Sequence, residues 1–224
     1  KKSEIYPLIR QKPNKKIFGV RFHLGLYNLS NLDKEKWPHS WLRNIGEEPV
    51  VFDINAVEKS KEQIKSYLIS KGYFDGNVTE TVETMGKKSK VYFEINLNAP
   101  YTIHDIKYDI EDITIAKIVF IDSSACLIER GKPYDAEILQ AERNRVERFV
   151  RDHGFYNFSS ENILFRIDST VSNRQVDIQY VIRNPVRIGP DNRPVIAPHI
   201  QYKLRNIYVY TDYNPRDFLT IGDE

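Results

Sequence analysis

Three kinds of side chain in this sequence could take part in catalysis or metal binding: the five histidines, the acid pairs Glu47-Glu48 and Glu111-Asp112, and the one cysteine. The histidines are dispersed along the chain, at His23, His39, His104, His153 and His199. No two of them have the i, i+4 spacing of a helical metal site, and no carboxylate pattern joins them. We therefore interpret His153 as a residue at the carboxyl end of a helix rather than as a metal ligand.

The acid pairs and the cysteine are also predicted to have structural rather than chemical roles. The pairs Glu47-Glu48 and Glu111-Asp112 are predicted to lie in turns, exposed to solvent. Cys126 is the single cysteine, so no internal disulfide and no thiolate metal cluster can form, and its apolar neighbours predict a buried small hydrophobic residue. No glycine-rich phosphate loop and no nucleophile elbow are present. The sequence therefore predicts a protein that is not an enzyme and has no cofactor and no metal site.

The composition is that of a folded protein, with 41% hydrophobic residues, 29% charged residues and a net charge of +2. This balance gives no argument for nucleic acid as a partner, because nucleic-acid binders concentrate positive charge on one face. Residues 1–21 are a local exception, with seven Lys or Arg against the single acid Glu4. A solvated basic terminus is favoured there over a membrane-binding or nucleic-acid-binding surface.

The elements that would position side chains occur in two copies. The first copy has a helix over residues 60–71, then Gly72-Tyr73-Phe74, then two strand-like runs that end at Pro100. The second has a helix over residues 136–153, then Gly154-Phe155-Tyr156, then two strand-like runs that end at Pro185. The two glycines are 82 residues apart and the two prolines are 85 apart. A shared order at this spacing indicates a tandem array of small α/β modules.

Apolar and polar residues alternate in the last strand-like run of each copy. One face of each run is apolar: Val91, Phe93, Ile95 and Leu97 in the first copy, and Val176, Ile178, Tyr180 and Ile182 in the second. A period of two with one apolar face is typical of an antiparallel sheet that is covered on one side. The preceding partner strands are predicted over residues 78–84 and 162–169.

Each full module therefore has the order strand, helix, helix, strand, strand. This order predicts an α+β fold in which two helices cover one face of a three-stranded sheet. Residues 1–100 are predicted to form the first module, whose opening strand is either missing or lies outside the given sequence, and which has an inserted segment at about residues 19–45. Residues 101–198 would form the second module, and residues 199–224 would begin a third, incomplete module.

Local patterns predict helix ends. Asp53 and Ser60 are candidate caps for the helix of the first copy, and Asp135 is the candidate for the second. Gly46 and Gly131 are expected to end apolar helices in the left-handed conformation.

Local patterns also predict buried faces and connections. Residues 17–29 have apolar positions every three or four residues, which predicts a buried helix. Residues 186–199 are predicted to be a loop, and residues 202–211 a strand. The buried stripes of the two repeated helices are expected at Ile64, Tyr67 and Leu68, and at Ile138, Leu139, Val146, Phe149 and Val150.

The repeated helix, Gly-aromatic-aromatic and hairpin pattern resembles the POTRA domains, which are periplasmic modules ahead of the barrel in BamA/TamA-type outer-membrane assembly proteins. The phrases at residues 9–17 and 26–29 are more particularly similar to the TamA-like lipoproteins (TamL type) of Bacteroidetes. The resemblance covers nearly the whole chain. The segment of residues 19–45 is longer than a plain module needs. The lipid-bearing cysteine and the barrel of this family are not among the given residues. Attachment to the membrane by a lipid or by a barrel is therefore implied by the resemblance alone.

The resemblance implies a binding array on the periplasmic side of the outer membrane of a Gram-negative bacterium. Its partners would be unfolded outer-membrane proteins and a periplasmic or inner-membrane accessory protein, and nucleic acid would not be one. An open strand edge can accept an extended peptide as a further strand, and in the family the second strand of each module is the edge implicated. The candidate partner-binding residues are Val78, Thr79, Glu80, Thr81, Val82, Glu83 and Thr84 in the first module, and Asn162, Ile163, Leu164, Phe165, Arg166, Ile167 and Asp168 in the second. The alternatives are edges that contact only neighbouring modules or water, and a structural spacer that docks a fixed accessory partner.

Overall fold

The structure is a computed structural model, and it describes residues 2–209. Its α-helices are α1 (Lys2–Ile5), α2 (Phe22–Leu29), α3 (His39–Ile45), α4 (Ile54–Ser70), α5 (Ile113–Ile121) and α6 (Ala136–Asp152). Its strands are β1 (Asn77–Met85), β2 (Lys88–Asn96), β3 (Thr102–Ile110), β4 (Ile163–Asp168), β5 (Gln175–Ile182), β6 (Val186–Ile188) and β7 (Pro194–Ile196). Short 3-10 turns lie at Tyr6–Leu8, Ser123–Ala125 and Ser160–Asn162.

Helix α4 and the antiparallel hairpin β1–β2 form the core of the first part of the chain. Ile64, Leu68 and Val78 are buried together, and Tyr67 and Phe93 pack at the margin. The hairpin pairs Val82 with Val91. The alternating faces predicted for its second strand are observed, since Val91, Phe93 and Ile95 are half-buried and their neighbours are exposed. These apolar faces meet because helix residues four apart share one side, as do strand residues two apart.

Asp53 and Ser60 were the two predicted caps of α4, and the prediction for Asp53 is confirmed. Its side chain accepts a hydrogen bond from the Asn55 N–H at 2.9 Å. The prediction for Ser60 was wrong, because this residue lies in the interior of α4 and is 1% exposed. Its hydroxyl donates to the Ala56 carbonyl at 2.6 Å and accepts from the Arg10 N–H at 2.9 Å. Ser60 thus ties the N-terminal segment to the helix instead of starting it.

The second set of elements has the predicted order β3, α5, α6, β4, β5, and its sheet has the strand order β3-β5-β4. The α+β fold class is confirmed. Asp135 precedes α6 and accepts from the Glu137 N–H at 2.9 Å, as predicted. In β5 the residues Val176, Ile178, Tyr180 and Ile182 are all buried, but so is Val181. The end of β5 is therefore enclosed on both faces rather than on one.

The buried stripes were largely predicted correctly. Leu139, Val146 and Val150 of α6 are buried, whereas Ile138 is 38% exposed and was assigned wrongly. Tyr67 and Phe149 are half-buried at the margins of their stripes.

The prediction of one buried helix over residues 17–29 was wrong. Phe18 and Gly19 both have positive φ, and they form a tight turn in which Ile17 and Val20 exchange two backbone hydrogen bonds. A helix can therefore begin only at Phe22. The segment is also exposed, since Phe18 is fully accessible and Leu29 is 71% accessible. The inserted segment thus holds two short helices, α2 and α3, which lie against each other.

The two predicted glycine stops were wrong in different ways. Gly46 follows α3, but its φ is −69°. A Cβ there would lie 2.7 Å from both the Leu42 carbonyl oxygen and the Tyr27 nitrogen, so close approach explains this glycine. Gly131 has a φ of +79°, but it lies in a turn and not at a helix end.

Two further predictions concern the end of the chain. Residues 186–199, predicted to be a loop, contain the short antiparallel hairpin β6–β7. Residues 202–209 form no strand, contrary to the prediction, and residues 210–211 of that run lie outside the described residues.

The contacts divide the chain into two compact units. The first comprises the described part of Lys1–Lys107, together with Glu129–Leu139 and Ile167–Ile178. The second comprises Tyr108–Ile128, Gln140–Arg166 and the described part of Gln179–Glu224. The module boundaries after residues 100 and 198 stay a prediction.

Candidate functional site

Strand β1 has an open edge, because β2 is its only hydrogen-bonded neighbour strand in the part of the chain that the structure describes. Thr79, Thr81 and Glu83 lie on its exposed face. On the other face Val78 is buried, and Glu80 accepts from Lys61 of α4 at 3.1 Å. The Lys61 ammonium lowers the pKa of Glu80 and keeps this carboxylate ionised. The backbone edge and the outer face of β1 are thus accessible, while its inner face is tied to the helix.

Strand β4 lies at the edge of the sheet β3-β5-β4. Ile163 is fully buried, whereas Leu164, Arg166 and Asp168 are exposed. The Phe165 ring packs edge-on against Tyr180 at 4.7 Å, with the Arg143 guanidinium 5.4 Å above it. Phe165 is thus fixed by neighbours within its own unit.

Asn162 was predicted to start this strand but lies in the 3-10 turn Ser160–Asn162. Its side chain accepts from the Ser159 N–H at 3.1 Å, and its carbonyl accepts from the Arg183 N–H at 3.0 Å. At the other end, hydrogen bonds from the Thr170 hydroxyl and N–H lower the pKa of Asp168. The available edge is therefore shorter than predicted and begins at Ile163.

The histidines do not converge on one site. His104 contacts Asp177 at 2.8 Å. His153 directly follows the end of α6, and a nitrogen of its ring lies 2.8 Å from the carbonyl oxygen of Phe149. Among the described residues, no three His, Cys, Asp or Glu side chains form a group that could hold a metal ion. Cys126 is only half-buried, and burial raises the pKa of its thiol, which disfavours the reactive thiolate.

The acid pair Glu111-Asp112 was predicted to be solvated, which is right for Glu111 and wrong for Asp112. Asp112 is 8% exposed and caps α5 by accepting from the Thr114 N–H at 2.8 Å. Glu111 accepts from the Asn184 N–H and from Arg183, both at 2.7 Å, and these bonds lower its pKa.

Sequence reasoning missed a joint that follows each Gly-aromatic-aromatic motif. In the first unit, the Tyr101 N–H donates to the Gly72 carbonyl at 2.8 Å, and the Tyr101 hydroxyl donates to Asp75 at 2.9 Å. The second unit repeats this arrangement. The Tyr202 N–H donates to the Gly154 carbonyl at 2.7 Å, and Asn157 donates to the Tyr202 hydroxyl at 2.8 Å.

The signal for this joint was present in the sequence. Asp75 and Asn157 each stand three residues after the motif glycine. Tyr101 directly follows Pro100, and Tyr202 lies four residues after Pro198. At the first joint, Lys71 also binds Asp135 at 3.1 Å and Glu137 at 2.7 Å. The start of α6 is thereby tied to the end of α4.

Residues 1–99 match the POTRA family, which is described as a surface antigen variable number repeat. This match covers less than half of the chain and agrees with the resemblance seen in the sequence. No curated protein sequence matches the chain. The finer similarity to TamA-like lipoproteins stays a prediction.

The chain is also similar to solved structures of POTRA domains. Domains 3–5 of BamA from Haemophilus influenzae are 14% identical with a TM-score of 0.39, and the match covers 57% of this chain and 49% of that one. BamA from Haemophilus ducreyi lacking POTRA domains 1–3 is 17% identical with a TM-score of 0.38, over 63% of this chain and 26% of that one. POTRA domains 1–3 of Omp85 from Anabaena are 14% identical with a TM-score of 0.32, over 73% and 68%. The chain thus spans about half of the first of these structures and about a quarter of the second.

No helix among residues 2–209 combines the length and the apolar character needed to cross a membrane.

Proposed function

We propose that this chain is the POTRA region of a BamA/TamA-type outer-membrane assembly factor, on the periplasmic side of the outer membrane of a Gram-negative bacterium. It holds unfolded outer-membrane proteins, or accessory subunits, and delivers them to a C-terminal barrel. The observation that carries this proposal is the position of β1 and β4 at open sheet edges. The POTRA match of residues 1–99 supports it.

Binding at these edges would proceed by strand addition. An edge strand offers a row of unpaired N–H and C=O groups, and an extended peptide can pair with them whatever its sequence. Outer-membrane barrel proteins consist of strands with alternating polarity, so their unfolded chains can add to such an edge. The polar outer face of β1, with Thr79, Thr81 and Glu83, imposes little side-chain selectivity.

A structural spacer that docks one fixed accessory partner is the second candidate. The repeated tyrosine joint favours it, because Tyr101 and Tyr202 each fasten the chain that follows a module to the glycine of that module. A fixed geometry of this kind suits a scaffold as well as a holding array.

Crosslinking in cells separates the two functions. Photoreactive residues at Thr79 and Thr81 of β1 and at Leu164 and Arg166 of β4 would be introduced into the full-length protein, with exposed Lys117 of α5 as the control position. The holding function predicts crosslinks to many outer-membrane precursors at the strand edges and few at Lys117. A single discrete adduct on one surface would instead favour the spacer.

Proline variants test whether the backbone of β1 is used. Neighbouring N–H groups of an edge strand point alternately towards and away from the partner strand, so Pro is placed at Thr81 in one variant and at Val82 in another. The variant that keeps the wild-type melting temperature has lost only an outward donor. It should lose its crosslinks to precursors, whereas Thr81→Ala should keep them. Unchanged crosslinking in the folded proline variant would refute strand addition at β1.

A further inference from the structure

Each of the two repeated units carries a cation at the same place on the helix before its motif glycine. Gly72 and Gly154 are 82 residues apart, and Lys61 of α4 and Arg143 of α6 are separated by the same 82 residues. Buried residues of the two helices follow this spacing too, namely Ile64 with Val146 and Leu68 with Val150. Lys61 and Arg143 are therefore equivalent positions of the repeat.

The residues of the edge strands that contact these cations are also equivalent. Val78 of β1 and Ile163 of β4 are the buried residues at the start of the two strands. Glu80 and Phe165 each stand two residues further on, and so on the same face of the strand. In the first unit the Lys61 ammonium lies 3.1 Å from the Glu80 carboxylate, so the cation of that unit is neutralised.

In the second unit the cation has no such partner, because Phe165 stands in the place of the acid. The Arg143 guanidinium lies over the Phe165 ring, 5.4 Å from its centre. It donates to the Gln140 side chain at 3.2 Å, while its Nε is buried without a hydrogen-bond acceptor in the described part of the chain. Arg143 forms no salt bridge with any of residues 2–209.

The acids nearest to Arg143 along α6 are already bound by other cations. Glu142 pairs with Arg145 at 2.8 Å, and Glu147 pairs with Arg151 at 3.5 Å. The positive charge of Arg143 thus lies beside the edge strand β4 and is not compensated by an acid of the same helix.

A strand added beside β4 would bring one of its side chains to this cation. The side chain directly opposite Phe165 would lie on the face of the sheet that α6 covers, with about 5 Å between the two Cβ atoms. A guanidinium binds a carboxylate through two parallel N–H donors, which is stronger than a bond to a neutral acceptor. An acidic side chain at this position of the added strand would therefore be favoured over a neutral one.

We propose that β4 is an acid-selective edge, at which Arg143 binds an acidic side chain of the strand that an unfolded outer-membrane protein adds. The edge of β1 has no such preference, because Glu80 already occupies the equivalent place beside Lys61. The two units thus select different segments of one unfolded chain. This inference rests on the proposed function, since it requires strand addition at β4.

The test uses the 224-residue chain and two eight-residue peptides of alternating Thr and Val, blocked at both ends and labelled for fluorescence anisotropy. One central Val is replaced by Glu in the first peptide and by Gln in the second. The Glu peptide should bind about fivefold more tightly than the Gln peptide, as expected for a hydrogen bond between charged groups that is partly exposed.

Variants of the cation assign this preference to Arg143. Arg143→Met keeps a long side chain over the Phe165 ring but removes the charge, so both peptides should bind it equally. The matched control is Arg148→Met, which removes an exposed arginine from the same helix and should keep the fivefold difference. If the difference survives in Arg143→Met, another cation carries it and the proposal is wrong.

Exchange of the strand residues between the units tests the comparison on which the proposal depends. Phe165→Glu copies the first unit, so the introduced carboxylate should pair with Arg143 and abolish the preference for Glu. Glu80→Phe should have the opposite effect, because it leaves Lys61 without its acid and gives β1 a preference for Glu. Thermal unfolding identifies the variants that stay folded, and the preference is compared in those.

Failure of the inference differs from failure of the proposed function. If both peptides bind the wild-type chain equally, strand addition stands and acid selection by Arg143 is refuted. If neither peptide binds at millimolar concentration, both are refuted. If the Gln peptide with a free carboxyl end binds as tightly as the blocked Glu peptide, the cation captures a chain end rather than an acidic side chain, and the proposal is overturned.

Discussion

Glu142 shows how a charged residue can be part of a core. It lies in α6, is 1% exposed and accepts from the Leu127 N–H at 3.0 Å. Two nitrogens of Arg145 donate to its carboxylate, each at 2.8 Å, and Arg145 also contacts Asp122. These hydrogen bonds and charges raise the pKa of Arg145. A buried ion pair of this kind is costly to break, because removal of one partner leaves the other charge without compensation.

We predict that Glu142→Leu lowers the free energy of unfolding by about 3 kcal/mol. The loss arises because Arg145 keeps only Asp122 and the Leu127 N–H loses its acceptor. The double variant Glu142→Leu/Arg145→Met should recover much of this loss, since it removes both charges. Urea unfolding of the three proteins measures the difference. If the double variant is less stable than Glu142→Leu, the cluster is not an ordinary buried ion pair.

His199 gives a pH dependence of stability. Burial lowers its pKa from the usual 6.5, and Arg187 adds to this effect, although the hydrogen bond to the Arg183 carbonyl and the charge of Asp112 oppose it. Because the folded pKa lies below the unfolded one, the unfolded chain binds the proton more readily. The contribution of His199 is fully present above the unfolded pKa and is lost as the pH falls towards the folded pKa.

The free energy of unfolding should therefore fall more steeply for the wild type than for His199→Gln when the pH is lowered from 7.5 to about 5.5. Urea titrations at several pH values measure the two slopes. Equal slopes would mean that His199 is as accessible to protons in the folded chain as in the unfolded one.

At the scale of elements, the segment of residues 48–53 has no helix or strand, yet its backbone is held by the side chains of Gln11 and Asn14. We predict that Asn14→Asp loosens it, because a carboxylate cannot donate to the Glu48 carbonyl and would repel it. The loss should be about 2 kcal/mol, as for a buried group left without its partner. Amide hydrogen exchange at Val50 should become faster, while α4 keeps its protection.

The matched control for this change is Asn98→Asp, an exposed position at which the same chemical change should leave exchange at Val50 unaltered. If Asn14→Asp and Asn98→Asp behave alike, the amide does not hold the segment.

The elements that could be predicted from the sequence are those set by local periodicity. The α4 and α6 helices, the alternating faces of β2 and the caps Asp53 and Asp135 follow from spacing within a few residues. The hydrogen bond from Asn14 to the Glu48 carbonyl joins residues that are distant in the chain, and no local pattern reveals it. The same is true of the burial of Glu142, whose carboxylate accepts from the Leu127 N–H. Of the candidate edges, the positions of β1 and β4 were predicted, but the start of β4 at Ile163 was not.

At the scale of the whole molecule, the two copies of the repeat share the backbone conformation of their motif glycines, Gly72 and Gly154. Gly72 has a φ of +83° and Gly154 a φ of +91°, a region that side-chain-bearing residues rarely adopt. A Cβ at Gly72 would lie 2.7 Å from the Tyr134 carbonyl oxygen, and one at Gly154 would lie 2.8 Å from the Tyr202 carbonyl oxygen. Each glycine thus lets the following segment approach the end of its helix.

We predict that Gly72→Ala and Gly154→Ala each lower the free energy of unfolding by about 3 kcal/mol or more, because backbone strain and a backbone clash act together. Gly86→Ala is the matched control. Gly86 also has a positive φ, +59°, but no atom lies within 4 Å of its Cβ position, so strain alone should cost about 1 kcal/mol. Urea unfolding compares the three variants. If all three lose the same stability, the glycines serve only the turn, and the close approach of the Tyr134 and Tyr202 carbonyls adds nothing to the cost of substitution.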